Sequence, residues 1–270
     1  MSTSSVPPPL VGVFDSGVGG LSVLRALHRH LPGAALLYVA DSGHAPYGER
    51  DPAYVVHRAC YITEFLRGRG ARVVVVACNT ATVAAIHQLR ERWPDTAFVG
   101  VEPGLKPAVA LSRNGRVGVV ATAATLQSAK FQALLSTYRE QSQVHLQPCP
   151  GLAHAIEQGE LESAQVRELV QRYCAPLRAA GVDTVVLGCT HYPFVAPLFA
   201  AELGAGVQLI DTAEPVARQT VTQVLKTHGD LPAASAPGLV QACTSGDPAV
   251  LQRIAGHWLD FPVAVTALPG

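Results

Sequence analysis

Short runs of Val, Leu and Ile alternate along the chain with longer stretches in which apolar residues recur at helical spacing. The runs predict strands at Leu10 to Phe14, Leu36 to Ala40, Arg72 to Ala77, Ala97 to Val101, Arg116 to Ala121, Val144 to Gln147, Asp183 to Gly188 and Val207 to Ile210. Continuous runs such as VVVV and TVVLG suit strands buried on both faces, as in a parallel sheet. Between them, helical periodicity covers Leu21 to His30, Tyr54 to Arg67, Thr80 to Arg92, Ser163 to Ala180 and Glu214 to Leu225. Regular alternation of this kind predicts an α/β fold with helices on both faces of mainly parallel sheets.

The pattern also echoes itself. Val11-Gly12-Val13 returns as Val117-Gly118-Val119, an offset of 117 − 11 = 106. Val76-Ala77-Cys78-Asn79-Thr80 is matched by Leu187-Gly188-Cys189-Thr190-His191, offset 189 − 78 = 111, and Val99 to Glu102 by Gln208 to Asp211, offset 211 − 102 = 109. Three strand ends in one order at nearly one spacing predict two similar α/β halves. The expected division is 10–100 plus 211–270 as a discontinuous first domain and 101–210 as the second, with 1–9 a disordered tail. The segment after Asp211 is too short for a good domain of its own and is expected to return to the first half. Pro232 to Pro237 reads as a loop.

Composition narrows the function. With 270 residues, 49% of them hydrophobic, the chain can build a substantial core. Lys plus Arg and Asp plus Glu balance at 20 each, and the basic residues are scattered, so a nucleic-acid partner is not expected. The opening MSTSSVPPP lacks the charged and apolar regions of a signal peptide, and no apolar run is long enough for a bilayer. A cytoplasmic protein with six mostly reduced cysteines is expected. No Cys/His cluster has structural-zinc spacing.

Two cysteines stand apart. Cys78 lies where a strand ends and a helix begins, and Cys189 has the same setting. Open α/β sheets bind ligands at the carboxyl ends of their strands, and a helix start favours a thiolate. Cys60, Cys149, Cys174 and Cys243 lack that setting and read as structural. Two such thiols could form a redox disulfide, supply one nucleophile, or transfer protons at a chiral carbon. The last explains why each half contributes one, since inversion needs a base on one face and an acid on the other. The loop Asp15-Ser16-Gly17-Val18-Gly19-Gly20 lets backbone approach an anion closely at a helix start. Asp15 would repel a phosphate and better suits a proton partner or a contact for an ammonium group. Tyr47, in His44-Ala45-Pro46-Tyr47-Gly48, reads equally as a loop residue closing on the core and as a ligand contact. His191 could tune the neighbouring thiol, and Glu157 by itself reads as a solvated helix residue.

The stretches VGVFDSGVGGLSVL at 11–24, ADSGHAPYGER at 40–50, VVVVACNTAT at 73–82 and TVVLGCTHYPF at 184–194, with IDTAEPVA at 210–217, resemble the glutamate racemases of the aspartate/glutamate racemase superfamily. The resemblance runs from Leu10 to about residue 260. It implies two α/β domains related by a pseudo-two-fold axis, with the active site in the cleft between them. It implies interconversion of L- and D-glutamate without pyridoxal phosphate, metal or other cofactor, supplying D-glutamate for peptidoglycan. By the same resemblance, Cys78 and Cys189 are the proton donor/acceptors, Cys78 acting on D-glutamate and Cys189 on L-glutamate. Asp15 assists Cys78, His191 assists Cys189, and Glu157 matches a further acid/base residue of some relatives. Substrate contacts are expected from Asp15, Ser16, Tyr47, Gly48, Asn79, Thr80, Thr122, Thr125, Thr190 and His191. Ala121-Thr122 stands where Gly-Thr is usual, which bears on pocket detail and not on reaction class. The expected partner is the small-molecule substrate, with no membrane, and with a homodimer left open as the assembly. The rivals are the same scaffold acting on aspartate or a hydantoin, and a two-lobed binding module.

Overall fold

The computed structural model describes residues 8–229 and 238–269; the expected loop Pro232 to Pro237 and most of the expected tail lie outside them. In chain order the elements begin β1 (Leu10–Asp15), α1 (Leu21–His30), β2 (Ala35–Ala40), α2 (Pro52–Gly68), β3 (Val73–Val76), α3 (Asn79–Arg92), β4 (Ala97–Gly100) and α4 (Leu105–Leu111). The middle of the chain forms β5 (Arg116–Ala121), α5 (Ala123–Gln127), α6 (Ala129–Tyr138), β6 (Gln143–Pro148), α7 (Leu152–Glu157), α8 (Ala164–Ala179), β7 (Thr184–Gly188), α9 (Ala196–Leu203) and β8 (Gln208–Ile210). It closes with α10 (Ala213–His228), β9 (Val240–Thr244), α11 (Pro248–Trp258) and β10 (Ala264–Ala267).

The strands form two sheets, ordered β10-β9-β2-β1-β3-β4 and β6-β5-β7-β8, and every paired strand runs parallel to its neighbour. The first sheet contains the order β2-β1-β3-β4, which the second repeats strand for strand as β6-β5-β7-β8. In each sheet the chain order reverses beside the first strand, between β1 and β3 and between β5 and β7. Such a reversal opens a crevice beyond the carboxyl ends of the strands. Phe14 pairs with Val76 and Ala121 with Gly188, so Asp15 and Thr122 emerge beside Cys78 and Cys189 respectively.

The hydrophobic pattern accounts for the strands. Val73, Val74, Val75 and Val76 are all fully buried, which only a central strand covered on both faces allows. Each such side chain contributes about 1.5–3 kcal/mol relative to an exposed one. All eight expected strands are present within one residue of their expected ends. Helix ends agree less closely, and α4, α5, α6, α7, α9 and α11 stand outside the expected helices. The return of the C-terminal segment is now explicit. β9 pairs with β2, β10 pairs with β9, and α10 packs on α1 and on the β3–β4 side of the first sheet. No helix among the described residues is long and apolar enough to cross a membrane.

Candidate active site

Cys78 immediately precedes α3 and caps it, its sulfur accepting from the Ala81 amide at 3.4 Å. Cys189 differs from the expected setting. Tyr192–Val195 forms a short 3-10 turn before α9 starts at Ala196, so the second sulfur caps no α-helix. Pro193 and Pro197 explain this, because neither has an amide hydrogen to continue a helical ladder. The two thiols thus share a strand end but not a helix start.

Each thiol ends a chain of hydrogen bonds. On one side the Cys78 thiol donates to Ser16 Oγ at 3.7 Å, and Ser16 Oγ donates to Asp15 Oδ1 at 2.8 Å. Asp15 therefore reaches Cys78 through a hydroxyl. On the other side Cys189 Sγ lies 3.5 Å from His191 Nδ1, and His191 Nε2 is bonded to Glu157 Oε1. Glu157 Oε1 also accepts from the Val18 amide at 2.7 Å. A solvated role for Glu157 is thereby replaced: its helix turns the carboxylate inward onto an imidazole. Thr190 ties the two sides together by donating to Asp15 Oδ2 at 2.7 Å.

The electrostatics differ between the sides. Burial pushes the Asp15 carboxyl up, against the opposing effects of His191, Thr190 and Ser16. Burial, then the Asp15 charge, pushes the Cys78 thiol up as well, so a proton is retained on this side. At His191 burial favours the neutral ring, but Cys189 and Glu157 outweigh it and hold the imidazole well above its ordinary value. The His191 ring is thus held toward its charged form beside one sulfur, and the opposite thiol toward its protonated form.

Both sulfurs line one small cavity of about 20 Å³. From the first sheet it receives Ser16, Tyr47, Gly48, Asn79 and Thr80, and from the second Thr122, Ala153, Thr190 and His191. Asn79 is 3% exposed, and neither of its amide atoms has a hydrogen-bond partner. Buried amides are rarely left so, and one on a cavity wall suits a polar ligand. Thr80 and Thr122 hydroxyls stand 3.1 Å apart across the wall. Thr125 lies behind this layer, off the cavity wall, with its hydroxyl accepting from Thr122 at 2.9 Å. Tyr47 presents its ring to the cavity, while its hydroxyl donates inward to Asp41. Asp15 and Glu157 also stand behind the wall.

The glycines of the first loop have a different use from the one expected. A Cβ at Gly17 would fall 1.9 Å from Glu157 Oε1, one at Gly19 2.4 Å from His191 Nδ1, and one at Gly48 2.9 Å from Thr122 Cβ. The anion at this helix start is the chain's own Glu157.

Sequence reasoning missed Asp41, Arg58 and Ala153. Asp41 is fully buried and receives two bonds from Arg58, at 2.8 and 2.9 Å, with further ones from Tyr47 and Ser245. This cluster pins the Tyr47–Gly48 turn. Ala153 stands four residues before Glu157 on α7, a spacing that signals one shared helix face. Cys149, expected to lack a strand-end setting, directly follows β6, though off the cavity wall. No three His, Cys, Asp or Glu side chains gather as a metal site among the described residues.

A family model described as Asp/Glu/Hydantoin racemase matches residues 11–220. The chain belongs to this racemase family. A glutamate racemase of Pseudomonas putida is 52% identical over 254 residues, covering 94% of each chain. That of Pseudomonas syringae pv. tomato is 55% identical over 209 residues, covering 77% of this chain and 76% of its own. Among solved structures, a glutamate racemase isoform from Bacillus anthracis superposes with a TM-score of 0.87 at 31% identity, covering 98% of each chain. The Escherichia coli glutamate racemase, solved with L-glutamate and the activator UDP-MurNAc-ala, gives 0.84 at 30% identity, covering 98% of this chain and all of its own. The chain is accordingly an isomerase acting on amino acids.

Proposed function

We propose that the chain interconverts L- and D-glutamate by transferring protons between the substrate α-carbon and two thiols, Cys78 and Cys189. The observation that carries this reading is the pair of relays, Asp15–Ser16–Cys78 and Glu157–His191–Cys189, ending at sulfurs on one cavity wall. In each direction one sulfur, as thiolate, removes the α-proton and the other, as thiol, returns one to the opposite face. Cys189 acts on the L-enantiomer and Cys78 on the D-enantiomer. An α-carbon acid is far weaker than a thiol, and each pKa unit of mismatch costs about 1.36 kcal/mol. Donors on the cavity wall, foremost the Asn79 amide left without a partner in the chain, stabilise charge developing on the substrate carboxylate and hold it in line for transfer. The curated relatives support glutamate as the substrate.

The reading extends to residues 10–100 with 211–270 and 101–210 as the two domains flanking the cleft, supported by strand membership in the two sheets. It also extends to supply of D-glutamate for peptidoglycan, and to a cytoplasmic setting in which both thiols stay reduced.

The test is incubation with each glutamate enantiomer in D2O, followed by polarimetry and by proton NMR of the α-position. Both enantiomers should lose rotation, with deuterium entering at the α-carbon of the inverted product. Racemisation of aspartate in place of glutamate would overturn the substrate assignment. Inversion with full retention of the α-proton would overturn the proton-transfer mechanism.

A further inference from the structure

The Gly17–Gly19 turn belongs to the first sheet, yet it touches the helpers of the thiol carried by the second. Val18 N donates to Glu157 Oε1 at 2.7 Å, and the same oxygen holds His191 Nε2. Glu157 sits at the end of α7 and His191 beyond β7, and Val18 meets Glu157 across 139 positions of sequence. The turn itself is fastened on three sides. The buried Tyr38 hydroxyl donates to the Gly17 carbonyl. Ser22 Oγ reaches both the Gly19 carbonyl, at 2.9 Å, and the Thr190 carbonyl, at 3.1 Å. Asp15 Oδ1 accepts from the Gly17 amide at 3.2 Å, while its Oδ2 takes the Thr190 hydroxyl. A turn held this firmly can position what leans on it. Glu157 and His191 lean on it so closely that a single methyl at Gly17 or Gly19 would overlap their polar atoms.

We infer that the Gly17–Gly19 turn is a positioning element for Cys189: its Val18 amide seats the Glu157 carboxylate, which orients His191 toward the sulfur. This inference rests on the two-thiol reading above. The seat serves one thiol selectively, because the Cys78 relay runs through Ser16 and Asp15 and includes neither Glu157 nor His191. The two catalytic groups are thus not independent. The acid–base competence of the second half is completed by a backbone donor of the first, so Cys189 works only while the turn and α7 are in contact.

Racemisation itself cannot separate the two thiols, because its equilibrium constant is unity and ties the two directions together. An irreversible probe can. In β-chloroglutamate, removal of the α-proton expels chloride and leaves an enamine, which water converts to 2-oxoglutarate and ammonia; no oxidant is needed. Chloride release from each α-configuration reports the thiolate on that face. Gly17→Ala should lower release from the α-L substrate by about 10- to 100-fold, the size of a positioned acid–base contribution, and from the α-D substrate by less than about threefold. Gly19→Ala, which meets His191 directly, should give the same asymmetry. Glu157→Asp, which keeps the turn intact but withdraws the carboxylate from both the Val18 amide and His191, should reproduce it, so the outcome does not depend on the glycine variants folding. Gly17→Ala combined with Glu157→Asp should lose little more than either alone, as for residues of one unit.

Equal losses on both enantiomers in Glu157→Asp, or multiplicative losses in the double variant, would overturn the inference. Cys78→Ser and Cys189→Ser run alongside. If they lose opposite enantiomers while Glu157→Asp shows no asymmetry, the seat alone is wrong. If both lose the same enantiomer, the two-thiol reading fails and the seat with it.

Discussion

Cys78 and Cys189 differ in what faces their sulfurs, and the difference sets their roles. Cys78 meets a backbone amide and a hydroxyl, whereas Cys189 meets an imidazole that the sulfur itself and Glu157 push toward its charged form. Replacing either sulfur by oxygen keeps a hydrogen-bonding group but raises its pKa steeply, since a thiol near 8.5 gives way to a far weaker acid. Cys78→Ser and Cys189→Ser should each lose racemisation by about 100-fold or more, measured by polarimetry, with chloride release surviving only from the α-L probe in the first and only from the α-D probe in the second. Asn79 gives a second residue-scale prediction. Its amide atoms have no partner within the chain, which suits the proposed ligand contact. Asn79→Ala should leave the melting temperature within about 2 °C, because no internal bond is lost, while KM rises about 10-fold, the loss of one to two hydrogen bonds. A large fall in melting temperature would place Asn79 in the scaffold instead.

At the scale of elements, the turn carrying Tyr47 and Gly48 is held from outside itself. Asp41 ends β2's approach to the site and gathers Arg58 from α2, Tyr47 from the turn and Ser245 from beyond β9. Burial works against the Asp41 charge, but Arg58 and the two hydroxyls outweigh it and hold the carboxyl below its ordinary range. A carboxyl depressed on folding stabilises the native state above its unfolded value, about 3.9, and that stabilisation is lost as pH falls through the folded value. Chemical denaturation should therefore show stability declining below about pH 4. Arg58→Leu leaves a buried carboxylate without its cation and should cost about 3–5 kcal/mol at pH 7, with a shallower acid decline than the parent. An unchanged denaturation midpoint at pH 7 would show that the cluster does not hold the turn.

For the whole molecule, two parallel sheets of matching strand order set two switch points against one cavity. The cleft gathers thiols, carboxylates, an imidazole and neutral donors, and the motifs contain neither metal spacing nor a lysine placed for a Schiff base. Racemisation should persist unchanged after exhaustive dialysis against EDTA and after borohydride treatment, which would trap an imine cofactor. Loss restored by added metal would contradict this.

Legible in the residues alone are the fold class, the eight strands, of which the central β1, β3, β5 and β7 are buried on both faces, the echo between halves and the two strand-end cysteines. Those features are local: a run, a spacing, a motif repeated. β9 and β10 were not legible, because VQACT and AVTA are short and mixed, and their place in the sheet comes from β9 pairing with β2 and β10 with β9, not from their own periodicity. Only the tertiary structure decided that Glu157 faces His191 instead of water, that Ser16 stands between Asp15 and Cys78, and that the loop glycines clear space for side chains of the other half. It also separated the settings of the two cysteines, one capping a helix and one turned aside by prolines. The physical reason is range. Burial patterns follow from residues three or four positions apart, whereas each helper reaches its partner by contacts between segments distant in sequence, which no local pattern encodes.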